Sequence, residues 1–319
     1  MADGSVTGVL SLQGKVSAEE WQARVDLAAL YRLVALHGWD DLVYTHISAR
    51  IPGSEHHFLI NPYGLLFEEI TASSLVKIDL DGNILQETPH FINPAGFTIH
   101  SAIHAARGDA RFVMHLHTDQ GVAVAAQKDG LLPLSQHALI VMPRLAYHDY
   151  EGIALNHDER ERLVADIGDK TLMLLRNHGT LAVGETAADC WIGMYYLERA
   201  CTMQVQALSA GRDQVLIAPE AAQNEVRSQV GRGIGGGLAW PACLRKLDRE
   251  LPGDQNWTGE NAPQGTAIDY HLGRAPQGAA VGHGGRRDRA RGGNDRYRRA
   301  PATDHSSISA RNRRRSRAA

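Results

Sequence analysis

The chain has 319 residues, of which 43% are hydrophobic, with a formal net charge of −3, 16 histidines and three cysteines. That length suits one large domain or two small ones. No run approaches the roughly 18 consecutive apolar residues of a membrane-spanning helix, the start MADGSVTGVLSLQGKVSAEEW lacks the basic-then-apolar order of a signal peptide, and Cys190, Cys201 and Cys243 contain no Cys-x-x-Cys pair, which argues against a disulfide framework or a thiolate zinc site. A soluble, cytoplasmic protein is expected, with histidine as the residue type in surplus.

Residues 1–16 read as a flexible N-terminus. Ser17-Ala18-Glu19-Glu20 has the form of a capping box, and Trp21, Val25, Ala28, Leu33 and Leu36 follow at helical spacing up to His37-Gly38, where glycine suits a C-cap. Short β-like runs come next at 57–64 and 75–85, the second holding an Asp81-Gly82-Asn83 turn between apolar flanks, which predicts antiparallel sheet. Asn93-Pro94 predicts a helix start, with Asn as N-cap and Pro in the first turn, running to Arg107. In 110–117, ARFVMHLH, apolar residues alternate as in a strand. Further along, the pattern predicts a helix over 119–127, irregular chain and strand to Tyr150, a helix over 158–166, strands over 171–176 and 181–183, and a long helix over 186–210 opened by Thr186 and Asp189. The sum is an α/β domain of three layers over 17–253.

Charge divides the chain at the same point. Residues 1–253 carry net −10 and residues 254–319 net +7, all of the tail's basic residues being Arg. With almost nothing apolar to offset the entropy of folding, 254–319 is expected to be disordered. Three readings of it stay open: a solvated appendage, a nucleic-acid-binding segment acting through phosphate contacts, or an accident of reading frame or gene fusion.

The chemistry is expected from the histidines. His115 and His117 lie two apart on one strand face, about 6.5–7 Å between Cα atoms, close enough to converge on one ion. His178, which stands at the end of the apolar run TLMLLRN and is followed by Gly179, a residue that allows a tight turn, is the best third ligand. Three histidines with an open coordination position would make the ion a Lewis acid toward a substrate oxygen.

From Trp21 to Gly211 the chain resembles the class II aldolase/adducin family, which includes L-fuculose-1-phosphate aldolase and L-ribulose-5-phosphate 4-epimerase. The matching stretches are GWDDLVYTHISARIPG (38–53), FLINPYGLLFEEIT (58–71), NPAGFTIHSAIHAAR (93–107), VMHLHT (113–118), YHDYEG (147–152) and LLRNHGTLAVG (174–184), and AWPACLRKLDRELPG (239–253) is similar to the end of bacterial adducin-like members. The resemblance implies zinc, or another divalent ion such as manganese, iron or cobalt, on His115, His117 and His178. It also implies a mainly antiparallel central sheet flanked by helices, and a homotetramer with active sites at subunit boundaries.

Two departures from the family pattern shape the expected activity. The family's aldolases carry a proton-transferring Glu 19 residues before the position of His115; here that position is Gly96. His100, Tyr147 and His148 are candidates for the missing role. For His100, a core histidine with one hydrogen-bonded ring nitrogen is the plainer reading. The family's phosphate-binding segments here read Thr45-His46-Ile47-Ser48, Asn61-Pro62-Tyr63-Gly64 and Pro94-Ala95, so that serine hydroxyls are replaced while Ser48 and Gly64 persist. Fewer donors for a phosphate imply an unphosphorylated substrate, a hydroxy- or keto-acid held near His46, Ser48, Asn61 and Gly64. A metal-dependent lyase of aldolase type is the leading expectation. The alternatives are a non-haem metal oxygenase or decarboxylase on the same fold, and a non-catalytic, adducin-like cytoskeletal scaffold.

Overall fold

The computed structural model describes residues 11–54, 56–152, 159–230 and 235–250. All of them fall within one unit, Met1–Gly273; the expected disordered tail lies outside the described residues, as does most of the N-terminal segment.

The first helix, α1 (Ala18–Leu36), begins where the sequence predicts: Ser17 Oγ accepts from the Glu20 backbone N–H at 3.1 Å. The reciprocal half of the capping box does not form, because the Glu20 carboxylate instead pairs with Arg24 and Lys77, both at 2.9 Å. The helix is also buried around most of its circumference, with Leu27, Leu30, Leu33 and Val34 fully enclosed, so its polar residues are satisfied internally. Arg24 donates to the Leu75 carbonyl at 2.9 Å and Arg32 to that of Ile70 at 2.8 Å.

Among the described residues seven strands follow: β1 (His46–Arg50), β2 (Phe58–Ile60), β3 (Val76–Ile78), β4 (Phe112–Leu116), β5 (Leu145–His148), β6 (Leu172–Leu175) and β7 (Gly179–Gly184). They form one sheet in the order β3-β2-β1-β4-β7-β6-β5. Every pairing is antiparallel except β5 with β6, which bears out the mainly antiparallel α/β architecture. The predicted turn at 79–83 closes as expected, with Ile78 bridging Ile84. Besides two α-helices after residue 210, which carried no prediction, one strand and one α-helix were not anticipated. The sequence HISAR, polar at alternate positions, is strand β1, because its polar side chains His46 and Ser48 are buried at the far side of the sheet from the apolar Ile47 and Ala49. The expected irregular chain before β5 contains a helix, Gln136–Val141, capped by Ser135 Oγ on the Ala138 N–H at 3.1 Å.

The other α-helices among the described residues are, in chain order, α2 (Pro94–Ala106), α3 (Asp119–Ala125), α4 (Gln136–Val141), α5 (Glu159–Ile167), α6 (Ala187–Leu208), α7 (Glu220–Gln229) and α8 (Trp240–Glu250). Alternation along β4 shows the layering. Phe112, Met114 and Leu116 join the core shared with α1 and α6, whereas Val113 joins Ile99, Ile103, Leu163 and Ile167 of α2 and α5. The register places His46 directly opposite His115 and Ser48 opposite Val113. His46, Ser48 and His115 therefore share the α2 face.

Candidate metal centre

His115 lies inside β4, His117 just past its end, and His178 in the β6–β7 turn; antiparallel pairing of β4 with β7 brings the three together. Their ring centroids are 4.7, 4.8 and 4.9 Å apart in pairs, and one nitrogen from each lies within 4.8 Å of the others. The turn is made differently from the sequence expectation. Asn177, not Gly179, takes the left-handed conformation, at φ 56°. Gly179 is needed for closeness instead, since a Cβ there would sit 2.4 Å from the Leu116 carbonyl oxygen and 3.1 Å from both the His115 and His117 rings.

Hydrogen bonds fix which ring nitrogens face inward. A carbonyl only accepts, so the 3.0 Å contact with the Thr180 carbonyl puts the His115 proton on Nδ1. His117 Nδ1 likewise faces Asp41 Oδ2 at 3.0 Å. The two Nε2 atoms then meet at 3.0 Å, an approach of lone pairs that a proton or a cation between them relieves. Burial pushes the His115 imidazole well below its ordinary range and that of His178 to about 4. Neutral rings with oriented lone pairs and hydrogen-bonded Nδ1–H groups are the form that ligates divalent metals, so the residues present fit such an ion.

Beside this cluster stands a second group of histidines. His104 donates from Nδ1 to the Ala110 carbonyl at 2.8 Å, which leaves its Nε2 to accept from Ser48 Oγ at 2.7 Å. Ser48 in turn accepts from His100 Nδ1 at 2.6 Å. The chain of donors ends at His100 Nε2, a buried lone pair without a partner. His46, whose ring is 5.8 Å from that of His100 and 6.4 Å from that of His115, accepts from Asn93 Nδ2 at 3.0 Å. Its ring lies flat against Gly96: a Cβ at residue 96 would come within 2.4–2.5 Å of three of its atoms. A side chain at 96 and an imidazole at 46 thus compete for one volume. Burial, aided by the nearby His117 and His178, drives His46 down to about 3.

The remaining predicted residues are dispersed. Asn61 is buried and accepts from Tyr31 Oη at 2.9 Å, a hydroxyl that also takes the Ile47 N–H at 2.7 Å and so ties β2 to β1. Gly64 forms a turn with φ +99°. Tyr147 accepts the Leu131 N–H at 3.1 Å and lies under the Arg176 guanidinium at 4.4 Å. His148 bonds Asp166 at 2.7 Å. Neither Tyr147 nor His148 belongs to the three-histidine cluster. An open cleft of about 640 Å³ instead adjoins His178, lined by Gln127, Lys128, Asp149, Tyr150, Arg176 and Asn177, with the Tyr150 ring 6.3 Å from that of His178. Residue spacing offered no signal for Asp41, Asn93 and Thr180, which join the site only through tertiary contacts.

Comparison with known proteins gives the family. Residues 25–205 match the family described as Class II Aldolase and Adducin N-terminal domain. An aldolase class 2 family protein of Caulobacter vibrioides is 74% identical over 255 residues, covering 79% of this chain and 99% of its own length. Rat alpha-adducin is 42% identical over 268 residues, which cover 78% of this chain and 36% of the adducin. Among solved structures, an aldolase II superfamily protein from Pseudomonas syringae is 53% identical with a TM-score of 0.72, covering 76% of this chain and 98% of that one. L-fuculose 1-phosphate aldolase from Glaciozyma antarctica is 26% identical with a TM-score of 0.65, covering 73% and 91%. The chain therefore belongs to the class II aldolase/adducin family.

Proposed function

We propose that the protein is a metal-dependent lyase of class II aldolase type acting on a small, unphosphorylated hydroxy- or keto-acid. The observation that carries this reading is the set of three converging imidazoles, two of them with Nδ1–H groups already engaged by Thr180 and Asp41. A divalent ion held by His115, His117 and His178, zinc foremost, supplies Lewis-acid polarisation of a substrate oxygen. The chain's own groups bind and orient. His46, steadied by Asn93 and packed on Gly96, faces the cluster as a neutral imidazole, and it orients substrate rather than taking up a proton near neutral pH. The cleft beside His178 offers Arg176 and Lys128 to a carboxylate. With glycine at 96, no carboxylate stands where the family's aldolases transfer protons, which favours substrates whose carbon–carbon cleavage needs little general acid–base help.

Elemental analysis of the purified protein and of its His178→Ala variant, combined with retro-aldol assays on unphosphorylated hydroxy-keto acids, tests this reading. Bound metal that disappears in the variant, with aldehyde release and no oxygen uptake, is the expected result. Metal-linked oxygen consumption would move the assignment to an oxygenase. The 42% identity to alpha-adducin favours a second reading, a cytoskeletal scaffold, which a metal-free wild type that binds actin filaments would support.

A further inference from the structure

Behind the cluster, on the α6 side of the sheet, lies a carboxylate that the mechanism does not use. Glu198 is 1% exposed. Its Oε2 accepts from Thr118 Oγ1 at 2.5 Å and its Oε1 from Thr180 Oγ1 at 2.8 Å. These two threonines are special by position: Thr118 follows His117, and the Thr180 carbonyl is the group that holds the His115 Nδ1 proton. One carboxylate thus ties together the two strand ends that deliver the three imidazoles. The packing around it is close. A Cβ on Gly121 would meet Thr118 Oγ1 and Thr180 Cγ2 at 2.6 Å and Glu198 Oε1 at 3.1 Å, so α3 approaches the cluster only because residue 121 has no side chain. The Met194 sulfur, 3.4 Å from Thr180 Oγ1, and the buried Cys201 thiol complete the surroundings.

Among the described residues no lysine, arginine or histidine forms an ion pair with Glu198. Burial accordingly raises its carboxyl to about 7, against the lowering effect of the two hydroxyl bonds. A buried ionisable group without a partner of opposite charge is costly to retain for packing alone, and replacing it with a neutral group of similar shape is commonly neutral or stabilising. Through Thr180 the carboxylate is linked to the three-histidine cluster, whose converging nitrogens suit a positive charge.

We propose that Glu198 is a positioning residue for the cation centre: held by Thr118 and Thr180, it supplies the buried counter-charge for a divalent ion on His115, His117 and His178 and keeps the Thr180 carbonyl aligned with His115. The inference rests on the metal-centre reading above. Partners one shell beyond the ligands typically change metal affinity by about 10- to 100-fold.

The test is a Zn²⁺ titration of the full chain in competition with a chromophoric chelator, alongside melting of the metal-free protein. Glu198→Gln keeps the shape and removes the charge, so Zn²⁺ affinity is expected to fall about 10- to 100-fold while the metal-free variant melts no lower than wild type. A Glu198 that served packing alone would give the reverse, a lower melting temperature with unchanged affinity, and that result would overturn the proposal. Thr180→Val, similar in shape but without the hydroxyl that fixes Oε1, gives an independent measure if the glutamine variant does not fold. Weakened Zn²⁺ binding is expected there too, and unaltered binding would count against the assignment. A wild type that takes up no Zn²⁺ would overturn the underlying metal-centre reading, whereas a wild type that binds Zn²⁺ and a Glu198→Gln protein that binds it equally well would overturn this inference alone.

Discussion

Two groups of three histidines lie side by side, one at the ends of β4 and β6 and the other between β1 and α2, and use the same side chain to opposite ends. In His115, His117 and His178, the Nδ1 atoms of His115 and His117 are occupied by oxygen partners, their Nε2 atoms meet at 3.0 Å, and a His178 nitrogen lies within 4.8 Å of both rings' ligand atoms. In the second group His100 and His104 alternate donor with acceptor through Ser48, down to the Ala110 carbonyl, while His46 stands beside them and accepts from Asn93. The first arrangement collects unshared lone pairs in one place and calls for a cation. The second passes hydrogen bonds along a line, satisfying a buried polar strand against α2 and leaving one unpartnered nitrogen on each of His46 and His100. The polarity of the hydrogen bonds, not the number of imidazoles, separates the candidate metal centre from the hydrogen-bonded row of His100, Ser48 and His104.

The largest effect that would break this distinction is loss of a ligand. A four-ligand zinc site is worth about 10–16 kcal/mol, so His178→Ala is expected to weaken Zn²⁺ roughly 10²- to 10³-fold, a quarter share, whereas His104→Ala should leave Zn²⁺ affinity unchanged and lower the melting temperature. Equal loss of metal in both variants would show that the two clusters act as one.

A smaller effect is expected where the clusters meet, at Gly96. Gly96→Ala forces a methyl group into the His46 ring and should cost about 1–3 kcal/mol, or several degrees of melting temperature. Because the clash is with one ring, the double variant His46→Ala/Gly96→Ala should be more stable than the two single costs added together. Simple additivity in thermal melts would mean that the ring moves aside without strain.

The smallest effect is a slope with pH. Burial holds His104 at about 3 against an ordinary 6.5, so between those values the unfolded chain binds the extra proton. The stability that the neutral ring confers is complete above pH 6.5 and is lost as pH falls below it, by roughly 1.4 kcal/mol for each unit. Glu198, raised to about 7, and Asp26, raised to about 6, act in the opposite direction as the pH falls, so the comparison must be with His104→Gln. That variant should lose stability less steeply than wild type on acidification; identical slopes would show that His104 does not carry the expected proton deficit.

Much of the local structure was legible in the sequence because its causes are local. Ser17 and Thr186 mark helix starts through neighbouring backbone groups, Asn93-Pro94 marks the start of α2 by its turn chemistry, and the alternation in ARFVMHLH marks β4. Strand β1 was not legible, since burial of His46 and Ser48 against α2 is a property of two distant segments and makes a buried strand look polar. Gly179 was singled out as a turn residue for want of knowledge of Leu116, whose carbonyl is what excludes a side chain there.

Read without coordinates, the chain already determined the helix caps, the spacing of His115 and His117, the nomination of His178 and the family, because these depend on residues near one another or on motifs in fixed order. Only the tertiary structure decided which nitrogens are free, that the His46 ring fills the space above Gly96, and that Glu198 lies buried without a cation behind the strand ends. Those facts depend on the direction of hydrogen bonds and on excluded volume between segments 50 to 80 residues apart, and no periodicity along a single chain encodes either.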